Sequence, residues 1–335
     1  MKLNDSKKAV ILYILEKIEQ NSDSISKVVS ENFDINQNTV HKYINELSDE
    51  GIIRRIKRGK YELINNKTEY SLKRNKGDLD SDTRALDNYI EKYLEDMPEN
   101  VNAIWRYTFS EMINNVIDHS EASNVKLIIK QNYLKTKIEI WDNGIGVFEK
   151  IRNYFGFPSL DDAVGELFKG KLTTDAANHS GEGIFFSSRI MDDFLILSGN
   201  KLFTHNKYDD NYVYELLEKK FKGTCVVMDL SNFSQKKLKD VFDSYSNDNG
   251  KFTKTDITLK NMFDTIPISR SQAKRVCNRL ENFSEVIIDF DNIEWMGQGF
   301  AHQIFVVYAK EHPELKLIPI NMNEDVTKMY NHVTN

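Results

Sequence analysis

Apolar positions along this chain keep helical spacing in some stretches and alternate in others. Ala9 to Leu15 forms an apolar run that reads as a first helix. Ile25, Val28 and Val29 share one face of a second helix, with Ser24 placed to cap it. Val40, Tyr43, Ile44 and Leu47 share one face of a third, opened by Asn36 or Asn38 and ended by Gly51. From Ile52 to Ile64 the period drops to two around Arg58-Gly59, which predicts a hairpin. The polar, charge-rich stretch that follows is expected to be a linker over residues 67–82. Further on, Glu111 to His119 has helical character, Lys137 to Trp141 alternates like a half-buried strand, and Phe221 to Leu230 reads as another strand. From about Lys251 short strands and helices take turns. Helical spacing runs over 270–280, Val286 to Phe290 is a strand, 301–310 a helix, 315–320 a strand and 323–332 a last helix. The expectation is an α/β multidomain chain.

Length and charge narrow the classes. At 335 residues two or three domains are expected. A net charge of −6 argues against a globally cationic nucleic-acid binder, but leaves room for a local basic patch. Cys225 and Cys277 are far apart and lack metal-ligand or redox spacing, so a reduced, cytoplasmic protein is expected. No apolar run nears the roughly twenty residues that a membrane helix needs. Glu16, Lys17 and Glu19 follow the first apolar run without a small-residue cleavage site, so it is not read as a signal peptide.

Three spaced groups carry the chemistry. Glu111, Asn115 and His119 lie four residues apart and stack on one helix face. An amide oxygen and a carboxylate one turn apart can serve a magnesium ion and a water. Asp142-Asn143-Gly144-Ile145-Gly146 follows the strand, and Gly181-Glu182-Gly183 opens an apolar helical segment, where free N–H groups make an anion site. Taken in order, these groups resemble the GHKL, or Bergerat-fold, ATP-binding domain. That family includes gyrase-type topoisomerases, heat-shock chaperone ATPases, histidine kinases and anti-sigma-factor serine kinases. The resemblance implies helices over a mixed, mainly antiparallel sheet at residues 83–240, with ATP and Mg2+ as ligands. It implies that Asn115 ligates magnesium, that Glu111 orients or deprotonates the attacking water, and that Asp142 reads adenine beside Gly144 and Gly146. Gly181, Glu182 and Gly183 would meet the phosphates. Lys169, Gly170, Lys171, Thr173 and Thr174 would belong to a lid over about residues 147–180. Thr224 would start a late strand near the adenine.

The flanks resemble two other families. Residues 1–66 look like a winged helix-turn-helix. That resemblance implies DNA contacts from Gln37, Asn38, Thr39, His41 and Lys42 on the third helix, and phosphate contacts from Arg54, Arg55, Lys57 and Arg58 on the wing. Five cations and no acid lie between Arg54 and Lys60. Residues 251–335 resemble STAS-like domains, the best known of which are anti-sigma-factor antagonists. Those carry a phosphorylatable Ser after the strand, whereas this chain has Gly297-Gln298-Gly299, which cannot accept a phosphoryl group but can dock on the ATPase domain of the same chain or of a second copy. Three roles fit this layout. They are a nucleotide-gated DNA-binding switch with slow hydrolysis, a serine or histidine protein kinase acting on a partner protein, and an ATP-bound scaffold in a bacterial stress or defence system. A homodimer is compatible with each.

Overall fold

The structure is a computed structural model that describes residues 5–174, 181–206, 222–263 and 265–335. The N-terminal unit packs α1 (Asp5–Glu19), α2 (Ile25–Phe33) and α3 (Gln37–Asp49) against the hairpin of β1 (Ile53–Lys57) and β2 (Lys60–Leu63). Its core is built from Ile11, Ile14, Leu15, Val29, Val40, Ile44 and Leu47. Asn36 caps α3, its side chain accepting the N–H of Asn38 at 2.8 Å. Ser24 does not cap α2 with its side chain. Its backbone is left-handed, at φ 54°, which turns the hydroxyl away from the first helical amides.

Residues 67–82 are not a free linker. Asn66–Lys73 is strand β3, which follows β2 almost at once and pairs antiparallel with β4 (Asn124–Gln131) over its full length. Thr68, Tyr70 and Leu72 face inward in alternation, while Lys67, Glu69 and Lys73 face out. The outer face carries ion pairs, with Glu69 bridging Lys67 at 2.6 Å and Lys126 across the strands at 2.9 Å. The central sheet has the order β3-β4-β5-β8-β6-β7 and every pairing in it is antiparallel. Its remaining strands are β5 (Lys135–Asp142), β6 (Asp193–Ser198), β7 (Lys201–Thr204) and β8 (Thr224–Ser231). Helices α4 (Glu99–His119), α5 (Val147–Phe155), α6 (Leu160–Lys169) and α7 (Gly183–Ile190) pack on this sheet, and so does the helical segment 82–94. The core between them holds Trp105, Phe109, Ile113, Ile138, Ile140 and Phe194. Phe221, expected to begin the β8 strand, lies outside the described residues; so do residues 175–180 of the expected lid.

Helix α8 (Leu238–Tyr245) leads to the C-terminal unit. Three parallel strands in the order β11-β10-β9 form its sheet: β9 (Lys254–Thr258), β10 (Glu285–Asp289) and β11 (Lys316–Ile320). Helix α9 (Leu259–Met262), α10 (Arg270–Cys277), α11 (Gln298–His302, continuing helically to residue 311) and α12 (Glu324–Thr334) surround it. Ser269 caps α10 in a reciprocal box with Gln272. Burial pushes the Cys277 thiol up to about 12, so it stays protonated and inert. No helix of the described residues is long and apolar enough to cross a membrane.

Both flanking units are packed onto the central layer. At one end of the sheet, Leu134 of the β4–β5 turn enters the N-terminal core, Lys135 pairs with Glu19 at 2.9 Å, and Tyr133 packs on Phe233. At the opposite end the chain from β5 into α5 turns over a cavity.

Candidate nucleotide site

The cavity encloses about 270 Å3 between α4, the end of β5, the start of β8 and the N-terminus of α7. Its walls hold Glu111, Asn115 and His119 from α4, together with Asp142, Gly146, Thr224 and the Gly181–Glu182–Gly183 turn. Sequence and geometry agree on why. The four-residue spacing puts the α4 polar groups on one face, and Met112 and Val116 beside them supply an apolar wall.

Asp142 ends β5, 5% exposed. Its Oδ1 accepts the N–H of Gly144 at 2.7 Å. Burial raises its carboxyl above the usual aspartate range, while the donors of Gly144 and Thr224 pull it back. Thr224 Oγ1 also accepts the N–H of Val147 at 3.0 Å, which ties β8 to the start of α5. Gly144 is packed so tightly that a Cβ would lie 2.0 Å from the carbonyl oxygen of Ser120. Opposite, a Cβ on Gly183 would lie 2.0 Å from Glu111 Oε2, so the carboxylate rests against the first residue of α7. The side chain of Glu182 makes no cap at that helix end, and Gly181 to Ile184 line the cavity there, where the first amides of a helix lack intrahelical partners and favour an anion.

The donor set suits a magnesium nucleotide. Asn115 brings one amide oxygen to the cavity wall, and Glu111 and Glu182 bring carboxylates besides that of Asp142; a magnesium site on so few protein oxygens leaves most of the metal's shell to water and phosphate. The apolar wall and the single buried carboxylate suit a base carrying an amine. Asn115 would hold the metal, and Gly181–Gly183 the phosphates.

Three of the expected phosphate residues sit elsewhere. Lys169 is 1% exposed, and its Nζ donates to Glu166 Oε1 at 2.7 Å and to the carbonyls of Arg275 and Asn278 at 2.8 and 2.7 Å. All three of its donors are used, one on Glu166 of its own helix and two in the contact with the C-terminal unit. Lys171 donates to the carbonyl of Asn282 at 2.6 Å and lies over the ring of Phe283. Gly170 ends α6 at φ 81°, pressed against Phe185 and Phe252. Thr173 and Thr174 do line the cavity. The cation that faces it is Lys150, which the sequence reading missed. Val147, Lys150 and Ile151 line the wall at helical spacing, and they are the signal that could have found it. Lys150 Nζ donates to the carbonyl of His119, the last residue of α4, at 2.7 Å, and it is the only Lys or Arg on the wall among the described residues.

The residues expected at DNA are on the N-terminal unit's outer surface. Gln37, Asn38, His41 and Lys42 are exposed on α3 and Thr39 is half-buried. Arg55, Lys57 and Arg58 are exposed on the hairpin, and Arg54, also exposed, pairs with Glu62 across it. Lys60 is engaged by Asp23 at 2.6 Å. In the C-terminal unit Gln298 is exposed and Gly297 backs onto Ile268, while contacts with the central layer run through β9, α9 and α10.

Residues 101–232 match the family described as histidine kinase-, DNA gyrase B-, and HSP90-like ATPase, and residues 272–327 match the STAS-like domain of unknown function (DUF4325). The chain therefore carries a GHKL-type ATPase domain and a STAS-like domain. The first supports ATP binding and a regulatory role of the kinase-like kind. Comparison with curated proteins finds no match.

Proposed function

We propose that this chain is a magnesium- and ATP-dependent switch that binds DNA through its N-terminal unit and turns ATP over slowly. The observation that carries the nucleotide reading is the placement of Asp142 at the buried end of a cavity whose other end holds Glu111, Asn115 and the Gly181–Gly183 turn. The ionised Asp142 accepts the adenine amine, Asn115 holds magnesium, and Glu111 takes a proton from the attacking water. Lys150 offsets phosphate charge from the side wall. The α3 surface and the wing cations favour DNA as the partner of the N-terminal unit, as in a winged helix-turn-helix.

Incubation with γ-labelled ATP and magnesium, alone and with cell lysate, tests this. Free phosphate is the expected product. Label appearing on a partner protein replaces the switch with a protein kinase. Calorimetry that finds no ATP binding removes the nucleotide reading altogether.

A further inference from the structure

The phosphate end of the cavity and the core of the STAS-like domain share one helix. The first residue of α7 faces Glu111 and the cavity, while Phe185 and Phe186, both 1% exposed, sit in the STAS-like core with Phe252 and Ile257. At the far end of α7, Arg189 forks onto Asp256 of β9, with Nε and Nη2 at 3.2 and 3.1 Å from Oδ1 and Nη2 at 3.1 Å from Oδ2. The same guanidinium covers the ring of Phe185 at 4.5 Å. Two-point contact of this kind fixes direction as well as distance.

The chain entering the phosphate region is held by the same domain. Thr255 of β9 donates its hydroxyl to the carbonyl of Lys169 at 2.7 Å and so satisfies the end of α6. The buried ammonium of Lys169 closes the carbonyls at the end of α10, and Asn278 and Arg279 hold Glu166 at 2.8 and 3.5 Å. One strand, β9, thus grips α6 through Thr255 and α7 through Asp256. Among the described residues the adenine end has no such tie. Asp142 and Thr224 stand on the central sheet.

We propose that Arg189 and Asp256 are positioning residues for nucleotide phosphates, so that the STAS-like domain is a working part of the ATP site and responds to the phosphates bound there. This rests on the nucleotide reading above. The Arg189–Asp256 fork holds the α7 amides in the orientation that a phosphate needs. By linkage, phosphate held by those amides stabilises the β9 contact to the same extent.

The test uses the full chain and the variant Asp256→Asn, which keeps the side chain's shape, removes its charge and touches no cavity residue. Calorimetry with a non-hydrolysable ATP analogue, ADP and adenosine, each with magnesium, reads the affinity. The expected result is about five- to tenfold weaker binding of the triphosphate, a smaller loss for ADP and unchanged adenosine affinity, with Arg189→Lys intermediate. Hydrogen exchange on the wild type supplies the reverse reading, with slower exchange at Lys254–Thr258 and Arg270–Cys277 under the triphosphate than under adenosine. Equal losses for adenosine and triphosphate would mean a purely structural pair and would overturn the proposal. So would wild-type triphosphate affinity in Asp256→Asn. A wild type that binds no nucleotide would instead fail the nucleotide reading itself.

Discussion

Replacing Gly183 with alanine separates chemistry from stability at this site. The new methyl would lie 2.0 Å from Glu111 Oε2 and 2.9 Å from its Cδ, so one of the two must move. Helix α7 is held by Phe185, Phe186 and Arg189 in the STAS-like core, whereas the carboxylate ends a flexible side chain. Displacing Glu111 from its rotamer costs about 0.5–1.5 kcal/mol. Gly183 opens the helix with no positive φ, so alanine meets no backbone strain and returns part of the about 0.5–1 kcal/mol that the exchange is worth in a helix interior. The two nearly cancel, and the melting temperature should stay within a few degrees of wild type. Turnover should not survive, because a general base moved out of reach forfeits about 100- to 10,000-fold in rate. Differential scanning calorimetry and a phosphate-release assay at saturating ATP check both halves. Gly181→Ala is the contrast. Gly181 has φ +72°, and its Cβ would meet the backbone of Leu172 at 2.7 Å, so no flexible atom can yield and stability itself should fall. Wild-type turnover in Gly183→Ala would refute the assignment of Glu111 as base, and a collapse of its melting temperature would refute the reasoning about which atom yields.

Asp142→Asn should lose most ATP affinity in calorimetry while leaving the melting temperature unchanged or raised, since the buried carboxylate is stabilised less in the fold than in water. Lys150→Ala should weaken ATP by about tenfold, the scale of one charge-assisted contact, and adenosine hardly at all; equal losses would place Lys150 away from the phosphates. Asp229, buried on β8, has its carboxyl raised from 3.8 to about 6, first by burial. A buried acid of this kind opposes folding wherever it is ionised, not at all below about pH 3.8 and fully above about pH 6. The shift corresponds to about 3 kcal/mol, so Asp229→Asn should raise stability in urea melts at pH 7 and lose that advantage as the pH falls to 4. Arg58→Ala should lower the slope of log affinity for DNA against log salt by about one phosphate's share; absence of DNA retention at low salt, with or without ATP, would make the N-terminal unit a protein-docking module.

The parts of the site that local chemistry dictates were legible in the sequence. Asp142 ends a strand whose alternation is visible, with Gly146 shortly after it, and Glu111, Asn115 and His119 stack because a helix repeats every 3.6 residues. What lay hidden depends on partners distant in the chain. The alternation of Thr68, Tyr70 and Leu72 is present in the sequence, but Lys67, Glu69 and Lys73 between them make the stretch look solvated until β4 supplies their partners. Lys169 beside a glycine reads as a phosphate lysine, because only the folded α10 reveals two carbonyls waiting for it. Residues 163–169 are buried on every side, a pattern that arises when one helix is shared by two domains and that no single amphipathic stripe announces. Ser24 has the right residue type for a cap and the wrong backbone for one.

The direct passage from β2 into β3 also decides where the molecule can be cut. A truncation that begins after residue 82 would remove an entire edge strand from the ATPase sheet. The backbone of β4, lined by Val125, Leu127 and Ile129, would then stand open as a template for another chain. Such a fragment should self-associate through that edge, whereas one that begins at residue 65 or 66 keeps the charged strand that protects it.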